Sequence, residues 1–217
     1  MYHFFVEPHQ IGAEEIRIEG ADVNHIRNVL RVKPGEEILI SSREGGDYFC
    51  RVEELEPEYV SAKILEEWEN KELPARIHLF QGLPKGDKME LIIQKAVELG
   101  AYRVVPVSMK RSVVKLDAKK ADAERKRWNA VSESAAKQSK RSLIPEVAPL
   151  MTYKEAVQEA AGYDMVLLPY ESADGIRKAR ELLASVKPGT DIAVFIGPEG
   201  GFEDEEVELA RENGAEI

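Results

Sequence analysis

Asp191-Ile192-Ala193-Val194-Phe195-Ile196-Gly197-Pro198-Glu199-Gly200-Gly201-Phe202 is an apolar run that empties into a glycine-rich turn, and Glu203-Asp204-Glu205-Glu206 follows as an acidic helix start. A short apolar run bounded by turn residues suits a strand covered on both faces, and in α/β sheets such strands deliver their C-terminal loops to a ligand. Gly197, Gly200 and Gly201 let the backbone approach that ligand or take positive φ, while Pro198 stiffens the turn. The four acids suit the helix macrodipole but repel a phosphate seated on the same N-terminus. Neither a Walker pattern nor G-x-G-x-x-G is present, so P-loop and dinucleotide sites lose support. A ligand carrying positive charge, such as the sulfonium and ammonium of S-adenosylmethionine, meets no such penalty. The plain alternative is an ordinary Gly-Pro connection between strand and helix.

Outward from this turn the grammar repeats. Ile77 to Phe80, Val104 to Val107 and Met165 to Leu168 are further buried-strand runs. Asp87 and Glu90 have capping-box spacing ahead of a helix that places Met89, Ile92, Ile93, Ala96 and Val97 on one face and ends at Gly100. Asp117 is placed to cap a long helix from Ala118 to about Lys140. More helices are expected near Tyr153 to Ala160, Gly175 to Leu183 and Glu203 to Asn213. Alternating β and α elements imply an α/β domain with a mostly parallel sheet. Gly214 closes the last helix and Ala215-Glu216-Ile217 reads as a further strand, on whose first step the sequence stops. It therefore reads as truncated there.

The first seventy or so residues read differently. Tyr2 to Val6, Ile16 to Ile18, Glu37 to Ser41, Tyr48 to Val52 and Tyr59 to Leu65 are short strands, with turns at Lys33-Pro34-Gly35 and Glu44-Gly45-Gly46. Their spacing predicts a small β-barrel plugged by one short helix, Val23 to Leu30, with Val29 and Leu30 inward. Glu69 to Pro74 is a polar, proline-ended linker, which sets the expected domains at 1–72 and 73–217.

Composition bounds the rest. The 217 residues are 43% hydrophobic, enough for real cores, and no run approaches the roughly 18 residues of a membrane span. The lone Cys50 excludes an internal disulfide, and the four scattered histidines show no metal spacing, so neither metal nor membrane is expected and a reducing cytoplasm is. Net charge is −10, yet Lys110 to Arg141 holds eleven Lys or Arg against four Asp or Glu. Four acids within the segment cannot pair eleven bases, which predicts contact with a polyanion.

Several stretches, taken in order, resemble one family. They are His25-Ile26-Arg27-Asn28-Val29-Leu30-Arg31, Gly82-Leu83-Pro84-Lys85-Gly86-Asp87-Lys88, Gln94-Lys95-Ala96-Val97-Glu98-Leu99-Gly100, Arg111-Ser112-Val113, Arg127-Trp128, Gln138-Ser139-Lys140-Arg141 and Ile196 to Gly201. The chain resembles, over almost its full length, the RsmE-type bacterial 16S ribosomal RNA (uracil-N3)-methyltransferases of the SPOUT superfamily. The resemblance implies a PUA-like barrel for RNA, an α/β domain with a deep trefoil knot that binds S-adenosylmethionine, a homodimer, and 16S ribosomal RNA or the 30S subunit as partner. Periodicity does not reveal such a knot. The family's closing Leu-Gly turn and Ile-Leu-Arg-x-Glu-Thr-Ala have no counterpart before Ile217, and Ser134 stands where many members have Glu.

Methylating uridine N3 requires removing its proton or stabilising the anion, so positioning and electrostatics must supply most of the rate. Arg111 is the first catalytic candidate, for the uridine anion or its phosphate, against a surface ion pair. Glu199 is the second, while Glu98 reads as a partner of Lys95. Leu168, Ile196, Gly197, Pro198, Glu199, Gly200 and Gly201 are the expected cofactor pocket. His25, Arg27, Arg31, Lys85, Lys88, Arg111, Gln138 and Arg141 are the expected RNA contacts, and Trp128 reads as core. Two other readings compete, a non-catalytic RNA-binding assembly module and a nucleotide-binding enzyme.

Overall fold

The computed structural model describes residues 1–170 and 175–217, apart from the side chains of 175–179. The chain divides into two units, Met1–Glu72 with Ala136–Ile144, and Leu73–Ala135 with Pro145–Ile217.

In the first unit, β1 (Tyr2–Val6), β2 (Glu15–Glu19), α1 (Ala21–Asn24), β3 (Glu37–Ser42), β4 (Asp47–Leu55) and β5 (Tyr59–Trp68) build a five-stranded sheet in the order β1-β3-β4-β5-β2. Only the β1–β3 pair is parallel. The period-two pattern decides which way each strand faces: Ile16 and Ile18 are buried while Glu15, Arg17 and Glu19 are exposed. Phe4, Val6, Ile38, Ile40, Val52 and Val60 join them in one core. Among the described residues no ladder joins β1 to β2, so the expected barrel is open at that seam.

α1 continues as a π-helical stretch, His25–Leu30, ending at Arg31 with a left-handed φ of 55°. Val23 and Ile26 are buried and Leu30 is partly buried against the core, but Val29 is 62% exposed, contrary to the inward position expected for it. The face through 23, 26 and 30 is the one that meets the sheet, and Val29 lies off it.

A polar chain crosses this unit. His3 Nε2 meets Ser41 Oγ at 2.8 Å, and the Ser41 hydroxyl donates to Asp47; all three residues are buried. Serine sits between the other two and donates its O–H to the carboxylate rather than to the histidine, so the histidine is not placed to activate it as a nucleophile. The chain ties β1, β3 and β4 together. Burial, followed by the nearby Lys137 charge, lowers the His3 pKa to about 4.

In the second unit, β6 (Arg76–Gly82), α2 (Lys88–Glu98), β7 (Arg103–Ser108), α3 (Ala118–Ser139), β8 (Glu146–Val147), β9 (Met151–Thr152), α4 (Tyr153–Ala160), β10 (Met165–Leu167), α5 (Gly175–Ala184), β11 (Asp191–Ile196) and α6 (Asp204–Glu212) alternate as anticipated. The sheet order is β10-β11-β6-β7-β8, with β9 on β7, and every pair is parallel. Where a further strand was expected, Glu216 makes a single isolated parallel bridge to Leu167, next to β10. The order reverses at β6, whose neighbours are β7 on one side and β11 on the other. In open α/β sheets a reversal of this kind is where ligands bind, at the C-terminal ends of the strands.

Asp117 caps α3 as expected, its Oδ1 accepting from Lys120 N at 2.9 Å. Asp87 does not cap α2: its φ of −87° and ψ of 11° are not the extended backbone of a side-chain cap. Glu90, the other half of that expected box, pairs instead with Arg127. Phe80 and Phe195 stack at 4.7 Å in the centre of the core and fix β6 against β11. No described helix is long and apolar enough to cross a membrane.

Candidate functional site

Strands β6 and β11 run in register from Arg76↔Asp191 to Gln81↔Ile196, and a glycine stands at or just past each C-terminal end, Gly82 and Gly197. Gln81 is buried between them, with Nε2 donating to Gly82 O at 2.9 Å and, more weakly, to Gly197 O at 3.4 Å. The turn packs too closely for side chains. A Cβ on Gly82 would stand 2.7 Å from Pro198 Cδ and 2.8 Å from Pro198 N, and one on Gly197 would stand 3.1 Å from Gly201 Cα. Gly201 has φ of +69°, and its N–H donates to Pro198 O at 2.8 Å, which closes the turn.

Arg111 lies across this turn. Its Nη1 donates to Gly200 O at 2.7 Å and its Nε to Glu203 Oε1 at 2.8 Å, while a Cβ on Gly200 would come within 3.1 Å of the Arg111 Cβ. The hydrogen bond that Arg111 donates to Glu203 raises the guanidinium pKa further, so Arg111 is a fixed cation. Behind it, the buried Glu206 accepts backbone N–H from Lys110 and from Glu203, each at 2.9 Å.

Glu199 reaches back to the loop after β6. It accepts from Lys88 Nζ at 2.7 Å and from Lys85 N at 3.2 Å. The Lys88 bond, followed by bonds from backbone N–H groups, holds its carboxyl at about 2. A carboxylate so stabilised is a weak proton acceptor, and its geometry is that of a clasp between two loops.

The fold thus gathers Lys85, Lys88, Arg111, Ile196, Gly197, Pro198, Glu199, Gly200 and Gly201 at one end of the sheet. Leu168 is a correction: its side chain is 1% exposed in the core and its N–H is bonded to Glu216 O, so the side chain has no face to offer a ligand. Arg141 is another. It is buried on the Glu72 carboxylate, with Nε at 2.8 Å, and is not available to RNA, whereas Gln138 is exposed. His25 and Arg31 are exposed and Arg27 half-buried in the first unit.

The charge surplus of Lys110 to Arg141 is also smaller than its composition suggests. Partners come from outside the segment: Glu205 for Lys110, Glu203 for Arg111, Glu146 for Arg125, Glu90 for Arg127, Asp22 for Lys137 and Glu72 for Arg141. Lys115, Lys119, Lys126 and Lys140 are exposed and make no ion pair among the described residues. Trp128 is core, 5% exposed, and walls a cavity of about 90 Å³ with Leu83, Met89 and Arg127. Glu98 is bonded to Lys95, the partner expected for it, and also to Gln94.

Sequence reasoning missed Gln81, Glu203 and Glu206. Gln81 carried one signal, an amide at the end of an apolar strand. The acids at 203 and 206 were legible only as dipole partners.

The turn thus presents backbone with few side chains at Gly197, Gly200 and Gly201, beside the exposed Ile196.

Residues 71–217 match the RNA methyltransferase domain family, and residues 18–65 match the RNA methyltransferase PUA domain. The ribosomal RNA small subunit methyltransferase E of Bacillus subtilis (strain 168) is 36% identical over 98% of this chain and 86% of its own length. That of Synechocystis sp. is 31% identical over 98% of this chain and 69% of its own. A crystal structure of the Neisseria gonorrhoeae ribosomal RNA small subunit methyltransferase E bound to S-adenosyl methionine superposes with a TM-score of 0.80 at 31% identity, covering 100% of this chain and 87% of that one. On these grounds the chain belongs to the ribosomal RNA small subunit methyltransferase E family.

Proposed function

We propose that the turn Gly197–Gly201, with Gly82 packed against it and Arg111 across it, seats S-adenosylmethionine, and that the chain, by its family an S-adenosylmethionine-dependent methyltransferase of small-subunit ribosomal RNA, methylates N3 of a uridine in 16S RNA there. The observation that carries this is the pair of strand-end glycines at the sheet's switch point, with Arg111 fixed on the carbonyl of Gly200.

The bound cofactor supplies an electrophilic methyl group on a sulfonium. The chain's part is to hold the uracil in line and to stabilise negative charge as the N3 proton leaves. Arg111 does the second: it is permanently charged, oriented by Glu203 and Gly200 O, and retains further N–H groups for a uracil oxygen or a phosphate. Glu199, as a clasp on Lys85 and Lys88, keeps two cations beside the turn, where they can meet the RNA backbone. Exposed His25, Arg31 and Gln138, with the half-buried Arg27, extend the RNA contact in this reading. It also includes the knotted cofactor fold, a homodimer, a cytoplasmic setting and no metal, all supported by family membership.

Radiolabelled methyl transfer from S-adenosylmethionine to small ribosomal subunits lacking their methylations tests the proposal, with the product base identified by mass spectrometry. Label in N3-methyluridine is expected. RNA binding without label would favour the non-catalytic module, and label in another base would overturn the assignment of N3.

A further inference from the structure

We infer that Glu206 is a positioning residue for Arg111; the inference rests on the role given to Arg111 above. Glu206 is 4% exposed, and its two carboxylate oxygens serve two different segments. Oε2 accepts the N–H of Glu203 at the start of α6, and Oε1 accepts the N–H of Lys110, 96 residues away in sequence. The first bond is ordinary helix capping. The second has no part in a cap, and it fixes the backbone immediately before Arg111.

Both bonds lead to the same guanidinium. Lys110 sets where the Arg111 chain begins, and Glu203 carries the carboxylate that takes Arg111 Nε. Arg111 is thereby held at its root and near its tip by groups that share one buried anchor, and Gly200 O takes Nη1 beyond. The anchor is itself fixed, because Tyr153 Oη donates to the Glu206 carbonyl at 2.8 Å. Glu203 stands at the N-cap position, yet its carboxylate turns outward to Arg111, and Glu206 supplies the side-chain bond at that helix end.

Glutamine at 206 has one carbonyl oxygen and an amide that donates. It therefore leaves either the Lys110 or the Glu203 N–H facing another N–H group. Turning a guanidinium by even about 1 Å costs up to roughly a hundredfold in rate where positioning dominates.

The test is a double-mutant cycle in methyl transfer. Glu206→Gln is expected to lower kcat about tenfold with the KM for S-adenosylmethionine little changed, and to add nothing to the loss already caused by Arg111→Lys. Effects that multiply in the double variant, or Glu206→Gln with wild-type kcat beside an impaired Arg111→Lys, would overturn the inference. Full activity in Arg111→Lys would instead sink the reading of Arg111 itself. Should Glu206→Gln fail to fold, Glu203→Gln breaks the same chain one link later with both Glu206 bonds intact, and the same non-additivity with Arg111→Lys is required.

Discussion

The two ends of the parallel sheet are both rich in charge, but they use it in opposite ways. At the N-terminal end, Arg76 opens β6 and Asp191 opens β11. The guanidinium binds that carboxylate through Nε and Nη2, at 2.7 and 2.6 Å, and reaches Gly189 O as well. His78 Nε2 meets the same carboxylate at 2.8 Å, its ring packs 4.5 Å from Tyr163, and Arg103 is bonded to Glu159 and Tyr163. Charges and rings there fill the space and pair with one another, leaving His78 Nδ1 and Arg103 Nε buried without a hydrogen-bond partner among the described residues. At the C-terminal end the turn is bare of side chains at Gly197, Gly200 and Gly201, Gly82 is buried against Pro198, and Arg111 is held by one carboxylate and one carbonyl. Carboxyls are displaced downward at both ends, Glu199 at the second to about 2. Asp191 is held far below the usual range, chiefly by the Arg76 bonds. A displaced pKa therefore does not tell the two ends apart, and the cofactor site proposed above rests on the glycines of the C-terminal end instead.

Giving the C-terminal end a side chain should be the most damaging change. Gly82→Ala drives a methyl into Pro198 and Met109 Sδ. It is expected to abolish methyl transfer and S-adenosylmethionine binding by calorimetry, while overpacking costs about 2 kcal/mol in denaturant unfolding. Cofactor binding that survives would move the pocket away from the glycines.

Removing charge from the other end should do the reverse. Asp191→Asn leaves Arg76 and His78 without their carboxylate, and a fall of about 5 °C in melting temperature is expected, with kcat of the folded protein unchanged. A depressed carboxyl stabilises above its unfolded value and loses that contribution as pH falls through its folded value. The gap between wild type and variant should therefore be full at pH 7 and shrink below about pH 4, in thermal melts across that range. A matching loss of kcat would show that the two ends are coupled.

Much of this contrast was legible in the chain. Apolar runs and glycines are local signals, so β6, β11 and the turn at 197–201 could be read directly, whereas β8 and β9 are two residues long and carry no period. What failed was long-range. The capping box at Asp87 failed because Glu90 finds Arg127 on α3. The charge surplus of Lys110 to Arg141 shrank because its partners lie far away in sequence. Arg141 was misread for the same reason, its partner Glu72 being 69 residues distant. Gln81 and Glu206 act through contacts that no spacing announces.

Glu199 gives the smallest and sharpest effect, because it lies at the site yet is paired in the manner of the opposite end. Its bond to Lys88 joins side chains 39% and 60% exposed, so solvent screens the attraction and Glu199→Gln should move the melting temperature by no more than about 1 °C. With its carboxyl held at about 2, Glu199 is ionised throughout the working range, and no inflection of kcat between pH 5 and 9 should belong to it. The glutamine variant is expected to lose a few-fold in kcat/KM for RNA, as Lys85 and Lys88 loosen, with the shape of the pH profile preserved. A neutral-range limb present in wild type and absent from Glu199→Gln would make Glu199 the proton acceptor after all. Both ends of the sheet would then carry a carboxylate pinned by cations, and only the one beside the glycines would have been released by substrate to do chemistry.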